Sequence, residues 1–204
     1  MEVEFAGAVA KPGGEVAGGL AEVAFSGRSN VGKSSLINRL LGRTRTPIAR
    51  VSQTPGKTQQ INFFRVRAGL STGREALFFA VDLPGYGFAR VPAAVRQAWR
   101  PLIESYLERS PQLRGVVQLI DARHDPTADD RQMVEYLASR GVPALVVLTK
   151  ADKVKVSQRV ARFERAAEVL GLERDEPLPF SAKSGEGREA LLDSIEALLT
   201  EETA

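Results

Sequence analysis

The segment AEVAFSGRSNVGKSSLIN, residues 21–38, limits the fold of this chain more than any other stretch. An apolar run leads into G-x-x-x-x-G-K-S, with Gly27, Gly32, Lys33 and Ser34 at the defining positions, and a helical pattern follows. Glycines let the backbone wrap so that successive N–H groups point inward and form an anion cradle at a helix start. Such a cradle needs a strand before it and a helix after it, and both are present. The remaining chain repeats the alternation of apolar runs with amphipathic segments, which is the pattern of an α/β fold with a mostly parallel sheet. Strands are predicted at 21–27, 59–66, 76–82, 115–121, 142–150 and 178–182, and helices at 33–42, 94–109, 128–140, 157–171 and 187–199. Only RAGLSTGRE separates the second and third strands, too short for a crossover helix, so that pair should be an antiparallel hairpin. The expected architecture is a six-stranded, mostly parallel sheet with one antiparallel edge strand and helices on both faces. It forms a single domain over 1–204 with a short N-terminal extension, 1–20.

Composition excludes several classes of protein. The chain of 204 residues has no cysteine, so disulfides and cysteine metal sites are ruled out. No apolar run is long enough to cross a membrane, and the acidic start MEVEFAGAVAKPGG lacks a basic leader region. The expectation is a cytoplasmic monomer without a membrane partner. The net charge of +3 conceals an asymmetry: nine Lys/Arg and no Asp/Glu lie between Val23 and Arg67, whereas eight acidic and two basic residues follow from Asp175. A basic half suggests a polyanionic partner, and the acidic tail reads as a solvated helix face.

The chemistry of the loop follows from its spacing. Its residues Gly27, Arg28, Ser29, Asn30, Val31 and Gly32 wrap the phosphates, Lys33 reaches the β- and γ-phosphates, Ser34 offers a hydroxyl to Mg²⁺, and Ser35 touches the α-phosphate. The cradle alone does not choose a base, and a small-molecule kinase or an ATPase would use it equally well. TKADK (149–153) ends a strongly apolar strand, at the sheet edge where ligands bind. There the Asp152 carboxylate would accept two hydrogen bonds from guanine that adenine cannot donate. Lys150 would lie along the base, and Ala182 in SAKSGEG would offer its N–H to the guanine 6-oxo group. Asp82 in DLPGYG would hold Mg²⁺ through water, and the Gly85 N–H would face the γ-phosphate. Residues 42–58, GRTRTPIARVSQTPGKT, fit neither the helical nor the strand period and are expected to be functional.

Taken in order, GRSNVGKSSLIN, TPGKTQQINFF, DLPGYGFA, DARHDP, LTKADK and SAKSGEG run over nearly the whole chain. Together they resemble the EngB (YsxC/YihA) family of translation-factor-class P-loop GTPases. The resemblance implies a Ras-like fold, Mg²⁺-dependent binding of GTP and GDP, and hydrolysis of GTP. It also implies a switch role in late assembly of the bacterial large ribosomal subunit, with rRNA and ribosomal proteins as partners, and a link to cell division and septation. An adaptor of the division apparatus with a regulatory GTP site is the other reading. The carried-over site adds Gly56, Lys57 and Thr58, with Thr58 closing on Mg²⁺ and the γ-phosphate. It also adds Leu83 and Pro84 of the DLPG turn, Thr149 and Ala151 of the base motif, and Ser181 and Lys183 around Ala182. Residues 43–58 and 84–93 become the two switch loops.

Two departures from the general GTPase pattern stand out. Thr149 replaces the usual Asn of the base motif, a change shared by members of the resembled family. Tyr86 occupies the position of the water-orienting glutamine, so intrinsic hydrolysis should be slow. Asn30 matches a position that in some related GTPases holds a potassium ion in place of an arginine finger, which makes K⁺ a second candidate cofactor. With Lys33, Thr58 and Gly85, it completes the candidate catalytic set. His124, the lone histidine, reads as a loop residue bonded to local backbone. Trp99 and Tyr106 read as core, Pro101 as a kink or the true start of its helix, and Phe63, Phe64, Phe78 and Phe79 as strand core.

Overall fold

The computed structural model describes residues 1–14, 16–49, 60–86 and 93–200, with backbone alone for 93–100. Seven strands and five α-helices follow one another among these residues. The first half contains β1 (Glu2–Val9), β2 (Ala21–Gly27), α1 (Lys33–Leu40), β3 (Ile61–Gly69), β4 (Glu75–Asp82) and α2 (Ala93–Arg109). The second contains β5 (Leu113–Asp121), α3 (Ala128–Ser139), β6 (Ala144–Thr149), α4 (Arg159–Leu170), β7 (Leu178–Phe180) and α5 (Arg188–Thr200). The strands form one sheet in the order β1-β3-β4-β2-β5-β6-β7.

Alternation along β2 shows why the chain folds around it. Val23 and Phe25 pack with Leu36, Ile37 and Leu40 of α1 and Leu191 and Ile195 of α5. Ala24, pointing the other way, joins Leu102, Ile103 and Leu107 of α2 and Leu137 of α3. Ile120, Val146 and Leu148 of the next strands pack with Ala166 and Leu170 of α4. A sheet covered on both faces needs apolar side chains on both, and so its central strands read as continuous apolar runs.

The predicted hairpin is present, with β3 antiparallel to β4 from Asn62↔Asp82 to Gly69↔Glu75. The expected six strands, with β3 as the edge, are corrected to seven: β1 pairs antiparallel to β3 and takes the edge itself. The sole antiparallel member, β3, is therefore second from the edge. Backbone pairing and cross-strand charge hold β1, since Glu4 pairs with Arg65, and Glu2 lies 3.8 Å from Arg67. Pro101 lies inside α2, which already begins at Ala93, so it does not mark the helix start. Phe63, Phe64, Phe78 and Phe79 are buried, as expected of strand core.

The parallel register brings five strand ends to one edge. Phe25 lies opposite Asp82, Gly27 opposite Leu119, Asp121 opposite Thr149, and Thr149 opposite Phe180. The phosphate loop leaves β2 at that same edge.

Candidate functional site

The loop between β2 and α1 has the form required of an anion cradle. Gly32 is the N-cap of α1 with φ 106°, a left-handed conformation that strains other residues, and no side chain caps the helix. The first backbone bond into the helix is Leu36 N–H to the Gly32 carbonyl at 2.8 Å, so the N–H groups of Lys33, Ser34 and Ser35 precede the ladder. These donors, at the positive end of the helix, suit phosphate oxygens. Lys33 is ion-paired with Asp82 at the end of β4, both side chains being largely buried. The two residues expected at phosphate and metal thus meet each other here, each compensating the other's charge.

Ser34 and Asp82 supply one hydroxyl and one carboxylate, hard oxygen donors that fit Mg²⁺. Among the described residues no group of three or more His, Cys, Asp or Glu is placed to hold a metal. A magnesium ion here would therefore take most of its ligands from nucleotide phosphates and water. Thr58, Gly56 and Lys57 lie outside the described residues, as do 50–55 and the remainder of the second switch loop, 87–92.

The base motif is bound to the phosphate loop at two points. The Thr149 hydroxyl donates to the Val31 carbonyl at 2.7 Å, and the Lys150 ammonium donates to the Asn30 carbonyl at 2.7 Å. Lys150 also donates to Asp121 at 2.7 Å, and Arg123 reaches the same carboxylate at 2.9 and 2.7 Å. Burial alone would push the Asp121 carboxyl up, but the hydrogen bonds from Arg123 and Lys150 outweigh it and hold the group well below its ordinary range. Asn30 and Lys150 both take left-handed backbone, with φ of 63° and 60°. Such strain in non-glycine residues gathers where the surrounding structure enforces a site.

Beyond this junction lies a cavity of about 390 Å³, bordered by Gly32, Ser35, Thr149, Lys150, Asp152 and Ala182. Lys183 and Phe180 also border it. Asp152 accepts the Ser181 hydroxyl at 2.7 Å on one carboxylate oxygen, and Ser181 accepts the Ser184 N–H at 3.1 Å. Asp152 and Ala182, the residues expected to read guanine, therefore border one cavity. Ala151, fully buried, accepts Arg159 at 3.0 Å and takes no place on the cavity wall.

The DLPG turn is joined to the phosphate loop. Tyr86 donates its N–H to the Gly27 carbonyl at 3.3 Å, and Ser29 donates to the Tyr86 carbonyl at 2.9 Å. A β-carbon on Gly85 would lie 2.8 Å from the Ser29 hydroxyl oxygen and 3.3 Å from the Ser29 backbone, so a side chain there would require Ser29 to give way. Leu83 and Pro84 are buried behind it. The Tyr86 ring turns inward: its hydroxyl donates to Asp130 at 3.2 Å and accepts from Gln118. Burial, reinforced by the neighbouring Asp130 charge, raises the Tyr86 pKa well above its ordinary value. Neither Gln118 nor Asp130 was foreseen from the sequence.

Other expectations resolve simply. His124 is exposed after β5, and its backbone N–H donates to the Asp121 carbonyl at 3.2 Å. Tyr106 packs in the core and donates its hydroxyl to buried Glu22 at 2.8 Å, while the Trp99 side chain lies outside the described residues. No helix among the described residues is long and apolar enough to cross a membrane.

Residues 22–150 match the family described as 50S ribosome-binding GTPase. A probable GTP-binding protein EngB of Gemmatimonas aurantiaca is 51% identical over 180 residues, covering 88% of this chain and 83% of that protein. The corresponding protein of Pelotomaculum thermopropionicum is 50% identical over 193 residues, covering 94% and 92%. Among solved structures, a probable GTP-binding protein engB superposes with a TM-score of 0.65 at 24% identity, covering 89% of this chain and all of that one. Era, crystallised with MgGDPNP and nucleotides 1506–1542 of 16S ribosomal RNA, gives 0.69 at 23% identity, covering 90% of this chain and 58% of that one. At those identities the two structures speak for the fold.

Proposed function

The chain belongs to the EngB family of GTP-binding proteins and is a GTPase, and from that premise we propose that it acts as a slow switch on the bacterial large ribosomal subunit during assembly. One observation carries the nucleotide part of this reading. Thr149 and Lys150 bond the carbonyls of Val31 and Asn30, so the phosphate cradle and the cavity beside Asp152 share a wall. One ligand with a base at one end and phosphates at the other spans both. Asp152 would take the guanine N1–H and 2-amino group, and the Ala182 N–H the 6-oxo group. Gly27 to Ser35 would wrap the phosphates.

Mg²⁺, when bound, neutralises phosphate charge, and Ser34 with Asp82, the latter through water, would hold it beside Thr58. Lys33 would leave Asp82 for the phosphates as that positive charge arrives. Slow hydrolysis would follow from Tyr86 at the glutamine position, since its hydroxyl is engaged by Asp130 and Gln118. The exposed Asn30 side chain, at the rim of the cradle, would help hold K⁺ where no arginine is supplied.

The ribosomal part rests on the family description and on charge. Of the basic residues between Val23 and Arg67, Lys33 pairs with Asp82, Arg65 with Glu4, and Arg67 with Glu2 and Glu75. Arg39 is bonded to Ala182 and Lys183. Arg45 is exposed, while Arg43 is partly engaged with the Val3 carbonyl at 3.1 Å. Arg50, outside the described residues, is the third member of this stretch. Contacts between such cations and rRNA phosphates release counterions, which makes association steeply salt-dependent. Pelleting with large-subunit particles should be stronger with a non-hydrolysable GTP analogue than with GDP. It should weaken as salt rises and fall in an Arg43→Ala, Arg45→Ala, Arg50→Ala variant that still binds GDP. Nucleotide-independent, salt-insensitive pelleting would refute the ribosomal reading. A link to division and septation would then be tested by whether depletion disturbs particle profiles before septa.

A further inference from the structure

Helix α1 serves the site at both ends. Ser35 borders the base cavity, and Arg39, one turn further on the same face, reaches the loop after β7. Its Nε donates to the Ala182 carbonyl at 2.6 Å and its Nη2 to the Lys183 carbonyl at 2.6 Å. The bonding is reciprocal. Arg188, which opens α5 behind that loop, donates Nε to the Arg39 carbonyl at 3.2 Å and Nη2 to the Leu40 carbonyl at 2.9 Å. Those two carbonyls belong to the last turn of α1, where the regular ladder ends; the Arg39 carbonyl also accepts the Gly42 N–H at 3.3 Å. Two guanidinium groups thus clasp the end of the phosphate-binding helix to the loop that carries Ala182.

We propose that Arg39 is a positioning residue for base recognition, holding the Ala182 N–H against the 6-oxo group of guanine. The proposal rests on reading the cavity as the guanine site. The loop is closed on itself by Ser181 N–H to the Glu186 carbonyl at 3.0 Å and by Gly185 N–H to the Ser181 carbonyl at 2.8 Å. The second bond orients the peptide that carries the Ala182 N–H, and Ser184 N–H to Ser181 Oγ at 3.1 Å orients the one after Lys183, but none of these bonds ties the Ala182–Lys183 backbone to another element. Arg39 does, by drawing two successive carbonyls to the α1 side of the loop. The Ala182 N–H makes no hydrogen bond among the described residues, and Ala182 borders the cavity. The planar fork of arginine suits two adjacent carbonyls, whereas lysine supplies a single point. A residue two turns into the phosphate helix therefore sets how well the far end of the ligand is read.

The test uses the full chain and equilibrium binding of GDP and 6-thio-GDP at constant Mg²⁺. The thio analogue keeps the N1–H and 2-amino donors for Asp152 and replaces only the 6-oxo acceptor by a larger, weaker one. The unaltered chain should prefer GDP by about tenfold, the worth of one well-formed hydrogen bond. In Arg39→Ala, GDP affinity should fall by about tenfold while 6-thio-GDP changes by less than about threefold. Arg39→Lys should fall between the two, and it carries the test if the alanine variant does not fold. Equal losses for both ligands would make Arg39 merely structural, and an unchanged preference would make it irrelevant; either overturns the proposal. No preference in the unaltered chain would overturn the guanine reading as well.

Discussion

Asp152→Asn tests the base assignment most directly, because the neighbouring side chains decide which way the new amide faces. Ser181 accepts the Ser184 N–H and donates its own hydroxyl to Asp152, so it demands an acceptor at that position. The asparagine oxygen stays on Ser181 and its NH₂ is turned into the cavity. Guanine then meets a donor where N1–H and the 2-amino group need acceptors. Two hydrogen bonds to a charged group are lost, each worth about 1.5–3 kcal/mol. The sum of about 3–6 kcal/mol corresponds to a loss of roughly 10²–10⁴ in GDP affinity. Xanthine carries a 2-oxo group in place of the amine, so xanthosine diphosphate should gain affinity in the same variant. Titration calorimetry with both diphosphates measures the exchange, and a melting curve without nucleotide confirms the fold. GDP affinity within about threefold of the unaltered chain would refute the reasoning, since one lost bond already exceeds that.

Lys33→Ala should weaken GDP and GTP together. It leaves Asp82 buried without its cation, so the nucleotide-free chain should lose about 3 kcal/mol, lowering its melting temperature by roughly 6–12 °C. Scanning calorimetry with and without Mg-GDP checks both effects. Acid should also expose the Asp121 cluster. Its depressed folded-state pKa contributes stability above the ordinary carboxylate value of 3.8, and that contribution is lost as pH falls toward the depressed one. Melting between about pH 4 and pH 2 should therefore be less pH-dependent in Asp121→Asn than in the unaltered chain. GTP turnover should be faster in K⁺ than in Na⁺, with the difference lost in Asn30→Ala. Equal rates in both salts would retire the potassium site alone.

Legibility from sequence divided along physical lines. The phosphate loop, the hairpin and the strand-end motifs were readable because each is built from neighbours in the chain, with glycines, prolines and apolar periods marking its limits. Strand β1 was read as an extension although Glu2, Val3, Glu4 and Phe5 alternate. That pattern carries weak information at an edge, where Phe5 remains 58% exposed and pairing comes from one side only. Tyr86 was read as no substitute for glutamine, and its partners Gln118 and Asp130 lie on other elements and have no local signature. Arg39 entered the sequence reading only as one of nine cations in a basic stretch. Its true partners are Ala182 and Lys183, more than a hundred residues away, and only the folded sheet brings them within reach. Thr149, which stands in place of asparagine, makes its bond to Val31 through a hydroxyl.

The strand order also dictates a schedule for synthesis. β3 and β4 can pair as soon as both exist, because only a short turn separates them. β1 must wait for β3, and β2 waits first for β4 and then for β5, with long intervening chain to be closed each time. Pairing at such separations carries the loop-closure entropy before any contact repays it, so these are the slow steps. The phosphate loop, translated early, hangs from a strand that has no neighbours yet. It becomes a site only after Asp121 and Thr149 have been added at the far strand ends and drawn in beside it.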